Sequence, residues 1–154
     1  MVAPTINAPV ISEAPRRHVL YQHFVVTEGQ IPDTIQRSFG ALYQRIQQAG
    51  VIPAGPPFAI YNTDSPPWDM DVCAPVATPL TPSADFRYME LPATRVVSFE
   101  VIGPYERLSH AYDQVMTYIR GNDLEMVGAP REFYLSPPNT PASEIRTIIE
   151  WPIA

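Results

Sequence analysis

Gly55-Pro56-Pro57-Phe58-Ala59-Ile60-Tyr61 and Gly128-Ala129-Pro130-Arg131-Glu132-Phe133-Tyr134 are two versions of one phrase. Each runs from a glycine through proline into a short apolar strand ending in tyrosine. Each is followed by a strand that closes on proline, a β-branched residue and alanine: Pro75-Val76-Ala77 and Pro152-Ile153-Ala154. Each is preceded by one amphipathic helix. An internal repeat on this scale dictates a fold made of two like modules. The copies differ at one telling place: where the first has Ala59, the second has Glu132, a lone carboxylate in an otherwise apolar strand.

Outward from the first copy, residues 18–26 are rich in β-branched and aromatic side chains and read as a strand. Ile35, Phe39, Leu42, Tyr43 and Ile46 fall at helical spacing, with Pro32 near the start and Gly50 just past the end. They predict a helix over 32–49. Strands at about 57–62 and 68–74 follow, joined by Thr63-Asp64-Ser65-Pro66. A connector at 77–84 and a strand at about 86–91 lead to the second cycle: a strand at 94–102, a helix from Gly103-Pro104 to Arg120, and strands at about 131–135 and 144–152. Leu108, Ala111, Tyr112, Val115 and Ile119 mark the inner face of that helix; Gly121 suits its C′ cap. Pro137-Pro138-Asn139-Thr140-Pro141 is the last loop.

The fold class is therefore α+β: tandem β-α-β-β repeats, about 16–77 and 94–154, within a single domain over 16–154. Residues 1–15, rich in Pro and Ala, are expected to be a loose, flexible arm. A single β-α-β-β unit leaves a sheet edge open and a face bare. Two related by a pseudo-two-fold share a core, with a ligand cleft at their junction.

Composition removes several function classes. The net charge is −6, and all ten basic residues are scattered arginines. No basic stripe is available to neutralise phosphates, so direct nucleic-acid binding is not expected. Without lysine there is no Schiff-base chemistry. The one cysteine, Cys73, cannot form an intramolecular disulfide and reads as a small buried hydrophobe. Nothing resembles a signal peptide or a membrane span, so no membrane partner and a cytoplasmic location are expected. His18 and His23 fall on the first strand and His110 on the polar side of the second helix. No Cys/His/Asp/Glu cluster has metal-ligand spacing and no cofactor motif occurs; no metal and no cofactor are expected.

Strand alternation sorts 131–135 into two faces. Phe133, Leu135 and Arg131 share one, assigned to the side beneath the helix; Glu132 and Tyr134 share the other. By repeat equivalence Ala59 and Tyr61 lie on that second face, which leaves room for a ligand beside the carboxylate. Tyr21, Tyr61, Tyr105, Tyr134 and Trp151 are candidate walls of an acidic aromatic pocket, although core packing is the stronger claim on each taken singly. Trp68, beside Pro66-Pro67, is either a lid or a surface ring stacked on proline.

Gly103-Pro104-Tyr105-Glu106, Arg131-Glu132-Phe133-Tyr134-Leu135, Trp151-Pro152-Ile153 and, in the first half, Gly55-Pro56-Pro57-Phe58-Ala59-Ile60-Tyr61 together resemble the GyrI-like effector-binding family. That family includes ligand domains of AraC-type and MerR-type multidrug regulators, stand-alone binders, and a few hydrolases of cyclopropane-bearing genotoxins. The resemblance implies two SHS2-like modules with a ligand cleft between them, and Glu132 as the pocket glutamate. The family's second carboxylate, four residues before the final proline, is replaced here by Ile148; the first half keeps Asp71, and Glu150 shares the parity of Ile148.

Three functions follow from the resemblance. The first is a stand-alone binder of small hydrophobic, aromatic or cationic compounds, acting on any regulatory target through a protein partner. The second is a hydrolase of strained electrophiles, with Glu132 handling water and the hydroxyl of Tyr134 or Tyr105 polarising the leaving oxygen. The third is a protein-interaction module acting on a partner such as gyrase.

Overall fold

The structure is a computed structural model; it describes residues 5–105, 108–137 and 139–154. Residues 1–4 of the expected arm, Glu106 at the expected start of the second helix and Pro138 in the last loop lie outside the described residues. The chain divides into two compact units, Pro15–Ala93 and a second unit assembled from Met1–Ala14 and Thr94–Ala154.

In the first unit β3 (Arg17–Val26) leads into α1 (Ile31–Ala49), β4 (Phe58–Tyr61), β5 (Trp68–Val76) and β6 (Arg87–Leu91). All pairings are antiparallel: β5 lies between β4 and β3, and β6 adds to the other side of β3. The helix begins where sequence places it. Gln30 accepts the Thr27 N–H through its side chain at 3.0 Å, and Pro32 occupies the first turn, where its missing donor costs nothing. Ser38, Leu42 and Ile46 are its buried residues, and the Ser38 hydroxyl donates to Gln22 Oε1 on β3 at 2.7 Å. The bond assigns the even-numbered face of β3 to the helix side. Cys73 is fully buried, in the role its apolar strand suggests.

The second unit runs β7 (Thr94–Ile102), α2 (Leu108–Gly121), β8 (Arg131–Tyr134) and β9 (Arg146–Ile153). Here β9 lies between β8 and β7. Val97, Phe99 and Val101 of β7, Ile149 and Ile153 of β9, and Leu108, Ala111, Val115 and Ile119 of α2 form its core. The far side of β7 is covered by β1 (Thr5–Ile6) and β2 (Val10–Ala14), both antiparallel to it. Part of the expected loose arm is thus strand. The reason is the edge it meets: β7 has a second row of backbone groups to satisfy, and the five residues between Pro9 and Pro15 pair Val10 with Ser98 through Ala14 with Thr94.

Both units therefore have the β-α-β-β order, and their backbone details recur in register. Ala54 N–H donates to Pro75 O, as Val127 N–H does to Pro152 O; Ala77 N–H donates to Ile52 O, as Ala154 N–H does to Glu125 O. A Cβ on Gly128 would meet Pro152 Cβ and Cγ at 3.3 Å, and one on Gly55 would meet Pro75 Cγ at 3.9 Å. Gly128 lies too close to Pro152 for a side chain to fit freely, and Gly55, at φ 145°, holds a backbone conformation that side chains rarely adopt, so each copy of the repeat has its own reason for glycine.

The end of α2 differs from expectation. Gly121 is still helical, and the left-handed residue is Asp123, at φ 52°. It takes the place of Gly50, at φ 69°. The same pair of bonds closes both helices: Gly50 N–H to Gln47 O and Val51 N–H to Ile46 O, then Asp123 N–H to Arg120 O and Leu124 N–H to Ile119 O. Among the described residues no helix is long and apolar enough to cross a membrane.

Candidate functional site

The registers of β8 decide where Glu132 points. Glu132 stands opposite Ile149 and Tyr134 opposite Thr147, whereas Arg131 stands opposite Glu150 and Phe133 opposite Ile148. Ile149 is part of the core packed on α2. Glu132 and Tyr134 are therefore on the helix-covered face, and Phe133 and Arg131 on the reverse. This inverts the assignment drawn from alternation. Period two separates two faces but carries no information on which of them a helix covers.

Around Glu132 the unit gathers aromatic hydroxyls. Glu132 is only 7% exposed. Tyr112, from the inner face of α2, donates to Glu132 Oε2 at 2.5 Å. Tyr134, two residues along β8, donates to Oε1 at 3.0 Å. Tyr105 packs edge-on against Tyr134, centroids 5.8 Å apart, and Trp151 packs edge-on against Tyr112, also at 5.8 Å. Burial pushes the Glu132 carboxyl above the usual carboxylate range; the two tyrosine hydrogen bonds act the other way and are the weaker influences. Tyr105, 43% exposed, is itself pushed up by burial and by the nearby carboxylate.

Of the residues singled out from sequence, Glu132, Tyr134, Tyr105 and Trp151 thus meet in the second unit. Tyr112, read only as an inner-face helix residue, joins them as the nearest partner of the carboxyl. Its signal was its place on the apolar face combined with a polar tip that needs a partner when buried. In the first unit Tyr61 and Trp68 form an edge-on pair with centroids 6.1 Å apart. Trp68 is the first residue of β5 and half-buried, with an indole nitrogen that is buried and has no hydrogen-bond partner among the described residues. Tyr21 pairs with Cys73, while its neighbour Gln22 holds the helix-side position. Tyr21 therefore lies on the face of β3 turned away from α1.

Glu150 does not join Glu132. Glu150 is on the reverse face of β9, where its carboxylate lies 3.6 Å from Arg131, both residues buried. Asp71 is on the reverse face of β5, 2.8 Å from His23 Nδ1.

A family model for the GyrI-like small molecule binding domain matches residues 8–154. Sequence comparison with curated proteins finds no match. Among solved structures, EcmrR in its DNA complex aligns over 99% of this chain at 20% identity and a TM-score of 0.83, and this chain covers 58% of that longer one. The EcmrR C-terminal domain alone aligns over 96% of this chain and 97% of its own, at 21% identity and a TM-score of 0.79. SAV2435, solved with tetraphenylphosphonium bound, aligns over 96% of this chain and 94% of its own, at 14% identity and a TM-score of 0.64.

Proposed function

We propose, from the premise that this chain belongs to the GyrI-like small-molecule binding domain family, that it binds small hydrophobic, aromatic cations at a site built on Glu132. The observation that carries the reading is a buried carboxyl whose described hydrogen-bond partners are two tyrosine hydroxyls, with aromatic rings beside them. Aromatic faces attract a desolvated organic cation, and a poorly hydrated carboxylate supplies the counter-charge. The pairing gains strength from the low local polarity that makes the empty carboxylate costly.

Tetraphenylphosphonium, the ligand of the similar SAV2435 structure, is the natural probe. In isothermal titration at pH 8, Glu132→Gln should weaken its binding at least tenfold, about 1.4 kcal/mol. A neutral triphenylmethyl compound of similar size should be nearly unaffected. Equal losses for both probes would mean that Glu132 contributes shape rather than charge. The same incubation, read by mass spectrometry with a cyclopropane-bearing electrophile, addresses the hydrolase reading: a compound recovered intact supports binding, and a hydrolysed one makes Glu132 a base.

A further inference from the structure

We propose that Glu132 makes this site a proton–cation exchanger: the empty site holds a neutral carboxylic acid, and an arriving organic cation displaces its proton to solvent. The inference rests on the reading that Glu132 is the counter-charge for a cationic ligand, and adds what balances that charge when no ligand is bound.

The geometry shows why a balance is needed. Three elements of the unit and the segment before α2 face the carboxyl. From α2 comes Tyr112, from β8 Tyr134, from β9 Ile149 across the register, and from the segment before α2 Tyr105; Ala111 and Val115 belong to the same apolar core, and Trp151 packs on Tyr112. The charged groups of these elements are turned elsewhere. His110 and Asp113 are on the exposed side of α2. Arg131 faces the reverse side of the sheet, 3.6 Å from Glu150. On β7, Glu100 is engaged at the reverse face by Arg146. Two charged residues share the Glu132 side by register, Arg95 at the start of β7 and Glu13 opposite it on β2, but both are exposed, and Arg95 donates to Ala154 O at 2.9 Å. The ionisable groups that bond or flank the carboxyl itself are tyrosines.

A buried carboxylate with hydroxyl partners alone is expensive, and a proton is the cheapest way to neutralise it. The dominance of burial over the two tyrosine bonds points the same way. A hydroxyl serves either protonation state, donating to the carboxylate or accepting from the acid. Tyr112 and Tyr134 can therefore remain bonded while the proton leaves. The exchange balances: one carboxylic acid and one cation become one carboxylate–cation pair and one solvated proton. No bond other than O–H is broken, and the site is neutral before and after.

The test uses the unmodified protein with tetraphenylphosphonium bromide, titrated calorimetrically from pH 5 to pH 9 in pairs of buffers with different ionisation enthalpies. The buffer dependence of the heat counts protons. The expected result is release approaching one proton per cation at the acid end. There, affinity should improve about tenfold per pH unit, then level off as Glu132 becomes ionised in the empty protein. Glu132→Gln should release none and bind with a flat pH profile, and the neutral triphenylmethyl compound should release none from either protein. Tight cation binding with no proton release at any pH would overturn the exchange while leaving the counter-charge reading intact. Proton release on binding the neutral compound would also overturn it. No cation binding at any pH would remove both.

Discussion

At the scale of single residues, Glu132 pits hydration against hydrogen bonding, and the sign of that contest can be measured without a ligand. Burial raises its pKa in the folded chain above the ordinary value near 4.5. A group raised in this way stabilises the fold most below the unfolded value and loses that contribution as pH climbs through the folded one. Glu132→Gln does not titrate, so the variant should gain on the parent protein as pH rises from about 5 to 8. The gain should be about 1.4 kcal/mol for each unit of upward shift. Urea unfolding of both proteins at the two pH values measures it; a difference in stability that stays constant, or moves in the parent's favour as pH rises, would sink the idea. Tyr112→Phe asks the complementary question. It keeps the ring against Trp151 but deletes the donor to Oε2. Losing a hydrogen bond to a charged acceptor costs about 1.5–3 kcal/mol. The variant should therefore be destabilised more at pH 8 than at pH 5, where the acid form makes less of that donor. The lone carboxylate in an apolar strand was legible in sequence. Its partner was not, because the tyrosine that reaches it is twenty residues away and depends on how α2 is rotated.

At the scale of elements, the repeat offers an internal control on backbone chemistry. Gly50 and Asp123 occupy the same left-handed position after α1 and α2 with the same closing hydrogen bonds. Alanine there pays for the clash of Cβ with its own backbone, whereas aspartate offsets part of it with local hydrogen bonding. Gly50→Ala should lower stability by about 1 kcal/mol or more, and Gly50→Asp by clearly less. Thermal unfolding ranks the two, and a reversed order would show that Asp123 is held by something other than local conformation. The sequence marks α1 well because glycine and proline punctuate both its ends. It marks α2 poorly at its C-terminus, since Gly121 is the eye-catching residue and aspartate is a weaker signal for the same conformation. The faces of β8 were separable by alternation, but the covered face became known only through the pairing of Glu132 with Ile149.

Across the whole molecule, what was legible is what repeats. The glycine–proline contacts, the strand order and the helix positions recur because each unit solves the same local problem. What was not legible joins distant parts of the chain. Val10–Ala14 is a strand because β7, more than eighty residues later, presents an edge to it, and nothing within a short proline-bounded segment announces that. The repeat also explains a buried ion pair. Arg131 and Glu150, 6% and 9% exposed, are directly paired across β8 and β9. The corresponding pair across β4 and β5 is Phe58 and Cys73, both fully buried. One unit fills this position with an ion pair and the other with apolar side chains, so the backbone accepts both solutions. Removing one member of a buried pair leaves a charge without its partner and costs about 3–5 kcal/mol, whereas replacing both with packed apolar groups is often neutral. Arg131→Phe and Glu150→Cys should each destabilise the protein strongly. The double variant, measured under reducing conditions, should lie closer to the parent than either single one. A double variant as unstable as the sum of the two would mean that the ion pair is required by its surroundings on that face, and that the two units have diverged there beyond exchange.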